Sequence, residues 1–222
     1  MKRIKKTHAP KEFREWDSNN RGKDSHCYDA LPGTVKRVLM KALCEEQGYL
    51  CAYTGLSIEV DSAHIEHIKP QNKCVNGEDV KYRNVIACFP VDGGDKSAGF
   101  GAPIKGGWWV EASFVSPLAS DCENRFRFKW SGKVSAFPDS NAPATKTISV
   151  LELGHDSLVE LRRMAIRGFF GFGTESEITK DQAKELLRKI DAKDSQGKFR
   201  PFDFVLKQLL TKYVSATKKG RP

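Results

Sequence analysis

No apolar run in this 222-residue chain approaches the ~18 residues that a membrane-spanning helix needs, so no membrane span is expected. The start, MKRIKKTHAPKEF, is basic but has no apolar segment behind it, so it does not read as a secretory signal. Cysteines are few and scattered, at Cys27, Cys44, Cys51, Cys74, Cys88 and Cys122. In a chain of this length they do not make a small disulfide scaffold, and the expected compartment is a reducing cytosol. No internal repeat is visible. Acidic residues are in the minority: 28 Asp+Glu stand against 37 Lys+Arg, for a formal charge of +9. That balance favours a polyanionic partner, although many cytosolic proteins are mildly basic for no such reason.

What is present suits a soluble globular protein, with 39% apolar and 29% charged residues. Residues 1–30 are polar and basic, with the isolated anchors Phe13, Trp16 and Tyr28. They read as an arm draped over a neighbouring surface or as a loose tail touching nucleic acid. Val35, Val38, Leu39, Ala42 and Leu43 fall at helical spacing, with Thr34 as the N-cap and Gly48 as the stop. Lys36, Arg37 and Lys41 lie off that stripe and read as a solvated face. Tyr49–Tyr53 reads as a short strand, and Tyr82–Cys88 as the start of a short helix. The glycine-rich segment from Val91 to Gly107 reads as loop. Strict alternation from Arg125 to Trp130, the Ser131-Gly132 turn and the return to Phe137 predict a β-hairpin. Three helices are expected after it: one capped by Asp156 or Ser157, one by Thr179, and one with the stripe Phe202, Val205, Leu206, Leu209, Leu210 and Tyr213. The stripe is either core or partner interface. The last residues, 218–222, are a basic tail expected to be disordered.

The stretch with chemistry in it is Ala63-His64-Ile65-Glu66-His67-Ile68-Lys69-Pro70. Its alternation reads as a strand, and proline stops it. A carboxylate beside an imidazole at a strand end supplies an oxygen ligand for a divalent ion and a base near neutral pH. A Glu-His pair on a strand is more often structural than catalytic. The order around it changes the weighing: strand, turn, Glu-His-x-x-Pro, then Asn84, an acidic residue and a lysine.

That order resembles the ββα-metal fold of HNH nucleases. The runs Tyr28-Asp29-Ala30-Leu31, Glu45-Glu46-Gln47-Gly48-Tyr49-Leu50-Cys51-Ala52-Tyr53, Ile65–Pro70 and Tyr82–Cys88 narrow the likeness to the PtuB family. This is the HNH component of Septu anti-phage systems, also found beside some retrons. Basic residues, a Pro and a Trp near the start are similar too, as are Thr147-Ile148, Leu151 and the helix containing Arg162. The likeness is good over residues 1–96 and diffuse beyond. It implies an α+β protein with a ββα-metal core in a helical scaffold and a small β-hairpin insert. The expected parts are an arm (1–30), a helix with the HNH core (31–100), and a C-terminal hairpin with scaffold helices (101–222).

Residue by residue, the resemblance implies His67 as general base, Glu66 as metal ligand and Asn84 as the bracing residue. Asp92 falls at the second ligand position, with Asp95 as its rival, and Lys96 is the trailing basic residue. His64 is a further ligand, a neighbour of the ligands or a structural histidine. Lys69 or Lys96 is placed to neutralise a phosphate. One Mg²⁺ or Mn²⁺ is implied. Relatives often hold a structural zinc with two Cys-x-x-Cys pairs. Here these read Cys51-Ala52-Tyr53-Thr54 and Cys88-Phe89-Pro90-Val91, so no structural zinc is expected, and Cys51 and Cys88 become neighbouring core residues. The implied partners are DNA and an ATPase subunit of the PtuA type. The alternatives are a catalytically silent nucleic-acid binder, a partner-binding subunit and an RNA-cleaving nuclease.

Overall fold

The computed structural model describes residues 1–172 and 177–216, so the basic tail 218–222 lies outside the described residues. The N-terminal arm is ordered. It contains helix α1 (Lys11–Asn20), buries Met1, Ile4 and Phe13, and ties the Ile4 N–H to the Pro117 carbonyl at 2.8 Å. Helix α2 (Gly33–Glu46) starts one residue before Thr34, so Thr34 does not cap it. Pro32 occupies the cap position without a side-chain bond. Its φ of −58° already suits a helix entry, which makes a hydroxyl cap dispensable. Gly48, at φ +59°, ends the helix as expected. Leu39, Met40, Leu43 and Cys44 form its buried face.

The segment after α2 does not form the expected strand at Tyr49–Tyr53. Tyr49 takes φ +59° and Gly55 φ +79°, and the chain between them turns, with one isolated bridge from Leu50 to Ser57. Strand β1 (His64–His67) forms where the alternation placed it. Its partner is strand β2 (Val85–Cys88), antiparallel, with His64 opposite Cys88, Glu66 opposite Ile86 and His67 opposite Val85. The helix expected over Tyr82–Cys88 is therefore a strand, preceded by a single 3₁₀ turn at Tyr82–Asn84. Four consecutive buried apolar residues carry no period, and Val85-Ile86 favours extended backbone. The outer edge of β2 is covered by a side chain. Gln47 Oε1 accepts the Ala87 N–H, and Gln47 Nε2 donates to the Ala87 carbonyl, both at 2.8 Å. An amide in that position takes the hydrogen bonds that a third strand would have taken.

Helix α3 (Ala102–Lys105) is a single turn inside the glycine-rich segment read as loop. It is the first α-helix after β2, so the expected sequence of strand, strand and helix ending near residue 88 is not formed. The hairpin is formed, by β3 (Phe126–Phe128) and β4 (Val134–Ala136), with Phe128 opposite Val134. Helix α4 (Ala142–Val150) was not anticipated, though its start signals are present. Asn141 Oδ1 accepts the Ala144 N–H at 3.1 Å, and Pro143 stands in the first turn. Helix α5 (Asp156–Phe170) is capped by His155, whose ring nitrogen accepts the Ser157 N–H, and not by Asp156 or Ser157. Helix α6 (Lys180–Lys189) has the Thr179 cap, closed reciprocally by Gln182. Helix α7 (Asp203–Ser215) buries Val205, Leu206, Leu209 and Leu210, so the stripe is core. One apolar cluster joins residues from Met1 to Leu210. Among the described residues no helix is long and apolar enough to cross a membrane.

The hairpin turn locks onto α5. Gly132 has φ +82°, and a Cβ there would lie 2.2 Å from the Val159 carbonyl oxygen. The buried Arg162 donates to the Gly132 carbonyl at 2.6 Å. Gly132→Ala is expected to cost at least about 2 kcal/mol, since left-handed strain adds to a clash with backbone that cannot rotate away. Urea midpoints of the two proteins check this, and equal midpoints would contradict the packing.

Candidate active site

β1 divides its residues between two faces, as a strand must. His64 and Glu66 lie on one face, and Ile65 and His67 on the other. His67 is 6% exposed, with the ring of Tyr28 set edge-on at 4.6 Å between centroids. Its Nε2 lies 2.9 Å from the Asp79 carbonyl oxygen. A carbonyl only accepts, so Nε2 carries the proton and Nδ1 keeps its lone pair. Burial, the largest influence, lowers the His67 pKa below 6.5 against the opposing pull of the Asp79 carbonyl and Glu66. The ring is neutral at neutral pH, and Nδ1 is a base with no hydrogen-bond partner among the described residues.

Asn84, which directly precedes β2, braces the loop that carries Asp79. Asn84 Oδ1 accepts the Lys69 N–H at 2.8 Å. Its Nδ2 reaches the Lys69 carbonyl at 3.0 Å, the Glu78 carbonyl at 3.2 Å and Cys74 Sγ at 3.4 Å. The loop from Lys69 to Asp79 is thus closed on one amide, and the Lys69 ammonium is paired with Glu78 across it. Asn84→Ala is expected to lose about 2–4 kcal/mol, since several backbone groups lose their partner at once. A loss of stability comparable to an exposed Asn→Ala change would contradict this bracing.

On the opposite face, Glu66 is the residue whose surroundings differ most from the expectation. Oε1 accepts from the Lys105 ammonium at 2.7 Å and from the Tyr53 hydroxyl at 3.4 Å. Lys105 comes from α3, is 3% exposed, and also donates to the His67 carbonyl at 2.9 Å. Glu66 Oε2 stands 3.8 Å from His64 Nε2, a charge contact longer than a hydrogen bond. Burial by itself would raise the Glu66 pKa, but His64 and Lys105 together hold it below the ordinary 4.5. Burial opposes charging of His64, yet Glu66 and the Pro90 carbonyl on Nδ1 outweigh it and raise its pKa.

Asp92 and Asp95 sit on exposed turns. Asp92 Oδ1 accepts the Gly94 N–H at 2.8 Å, and Asp95 holds the Ser97 N–H and hydroxyl at 2.8 Å each. Lys96 is exposed. Among the described residues no group of three or more His, Cys, Asp or Glu side chains is arranged to hold a metal ion. Glu66 Oε1 is taken by the Lys105 ammonium and Asp92 Oδ1 by the Gly94 N–H. Cys51 and Cys88 are buried side by side, with Cys51 Sγ also accepting the Phe89 N–H at 3.4 Å.

Lys105 and Gln47 are the two polar residues in this region that carry most and that the sequence reading did not single out. No local pattern marks either, since each bonds to chain about 40 residues away, at separations of 39 and 40. Compared with models of known protein families the chain matches none, and no curated protein sequence matches it significantly.

Proposed function

We propose that this chain is a phosphodiester hydrolase of the HNH type that cuts DNA, with His67 as the general base. The observation that carries the reading is the oriented, neutral His67, with Nε2–H on the Asp79 carbonyl and an unprotonated Nδ1. In the reaction, Nδ1 takes a proton from water and the water oxygen attacks phosphorus. The bond from phosphorus to the leaving oxygen breaks, and that oxygen takes a proton from solvent. Asn84 and the Glu66–Lys105 pair are positioning groups. One fixes the loop that orients the ring, and the other fixes the backbone of His67 itself.

DNA as substrate, an ATPase partner of the PtuA type, a cytosolic location and a role in anti-phage defence come from the resemblance to the PtuB family. Burial of His67 under Tyr28 supports control by a partner, because a base this covered belongs to a closed site. A second reading, a silent nucleic-acid binder, is favoured by one observation: Glu66 is already neutralised by Lys105. The pH dependence of strand cleavage separates the two. The acid limb is expected below pH 6.5, with cutting lost as His67 gains its proton. A rate that is flat across this range, or that rises on acidification, would contradict His67 as base.

A further inference from the structure

A cleft of about 720 Å³ lies between α1 and the 76–83 segment. Five cations line it: Arg14, Arg21, Lys23, Lys81 and Arg83. Asp17 is the sole carboxylate in the lining, and it is already held by Arg21 at 2.5 Å and by His26 at 2.8 Å. Arg14, Lys23, Lys81 and Arg83 are exposed and make no ion pair among the described residues. Like charges gathered in a concavity repel one another and concentrate counter-charge there. Tyr82, half-buried, is also part of the lining; Lys6 lies 4.2 Å from its ring centroid and Phe13 packs at 6.3 Å, so only the remaining open part of the ring can meet a base.

We propose that this cleft binds a single-stranded segment of polynucleotide, with phosphates on the cations and a base against Tyr82. Cations spaced around an aromatic ring fit a sugar–phosphate strand with unstacked bases. An acidic peptide would use the cations alone. The wall of the cleft is also the support of His67. Gly77, Val80 and Lys81 face the cleft, and Asp79 among them accepts from His67 Nε2–H and, through its carboxylate, from the Tyr28 N–H at 2.7 Å. A strand lying there runs past the far side of the turn that aims the base. That role in delivery rests on the nuclease reading, while the binding itself does not.

The test is anisotropy of fluorescent oligothymidylate and oligouridylate with the full chain over a range of salt. Lys81→Glu with Arg83→Glu is compared with Lys129→Glu with Lys133→Glu, an equal charge change on the hairpin outside the cleft. Arg14→Glu, on the opposite wall, guards against a misfolded double variant. The cleft variants are expected to weaken binding at least about tenfold, and the double variant to lower the salt slope by about 1.4, two contacts at about 0.7 each. The hairpin variant is expected within about twofold of the parent. Weakening for both oligonucleotides means the backbone is read, and weakening for one alone names DNA or RNA as the ligand. Equal affinities for cleft and hairpin variants would overturn the proposal, as would displacement by polyglutamate with no oligonucleotide bound. Weakened binding in a protein that never cuts a strand leaves the cleft standing and removes the nuclease reading. Cutting by a chain whose cleft variants bind normally does the reverse.

Discussion

Lys105→Met is expected to lose about 3–5 kcal/mol of folding stability, the cost of leaving a buried carboxylate without its partner. The Lys105 side chain is 1% exposed and that of Glu66 15%, so solvent screens the pair little. The ammonium makes two bonds, to Glu66 Oε1 and to the His67 carbonyl, so its removal also frees the end of β1. The pH dependence should weaken as well. In the parent, Glu66 has a folded pKa below 4.5, so its contribution is full above that value and lost as pH falls through the folded pKa. In Lys105→Met, burial is opposed by His64 alone, so the folded pKa of Glu66 should lie above its parental value and less stability should be lost as pH falls. Glu66→Gln combined with Lys105→Met removes both charges and is expected to recover most of the loss. Urea unfolding at acid and neutral pH checks all three proteins. A variant whose loss is the same at both pH values would show that Glu66 is not the group left exposed to burial.

His67→Ala is expected to slow strand cleavage by about 10²–10⁴, the usual contribution of a positioned general base. Oligonucleotide affinity should stay within about twofold, because the ring lines no part of the basic cleft. The substitution also frees the Asp79 carbonyl, so His67→Gln is the better-behaved companion, able to donate one hydrogen bond while offering no base. Both variants should be equally slow. If His67→Gln cuts at the parental rate, the ring is a structural spacer and the silent-binder reading gains.

Some of this was legible in the residues. The alternation at His64–His67 made a strand, although of its four residues only His67 is buried. The hairpin at Phe126–Ala136 followed from the Ser131-Gly132 turn, and the Thr179 cap from the Gln182 three residues on. The stripe of α7 became core as its spacing allows. What was not legible involves groups without a local signature. β2 looked like a helix start because Val85–Cys88 is too short and too uniformly apolar to show a period. The segment expected as a strand at Tyr49–Tyr53 turns instead, and at Ala87 the edge of β2 meets the Gln47 side chain and one Ala52 N–H at 3.2 Å. The partner of His67 is a backbone carbonyl, which any residue type could provide. The cation beside Glu66 arrives from a one-turn helix that glycines on either side concealed. A reading along the chain put Glu66 and His67 together on β1 but did not place Lys105 beside Glu66.

The most direct measurement is cleavage of supercoiled plasmid and of a labelled RNA strand by the purified chain beside His67→Ala. It is run with and without the proposed PtuA-type ATPase, and in Mg²⁺, Mn²⁺ or chelator. Cutting of the plasmid by the parent, reduced at least about a hundredfold in the variant, is the result this account expects. An intact plasmid and intact RNA under every condition, or equal cutting by both proteins, would contradict it.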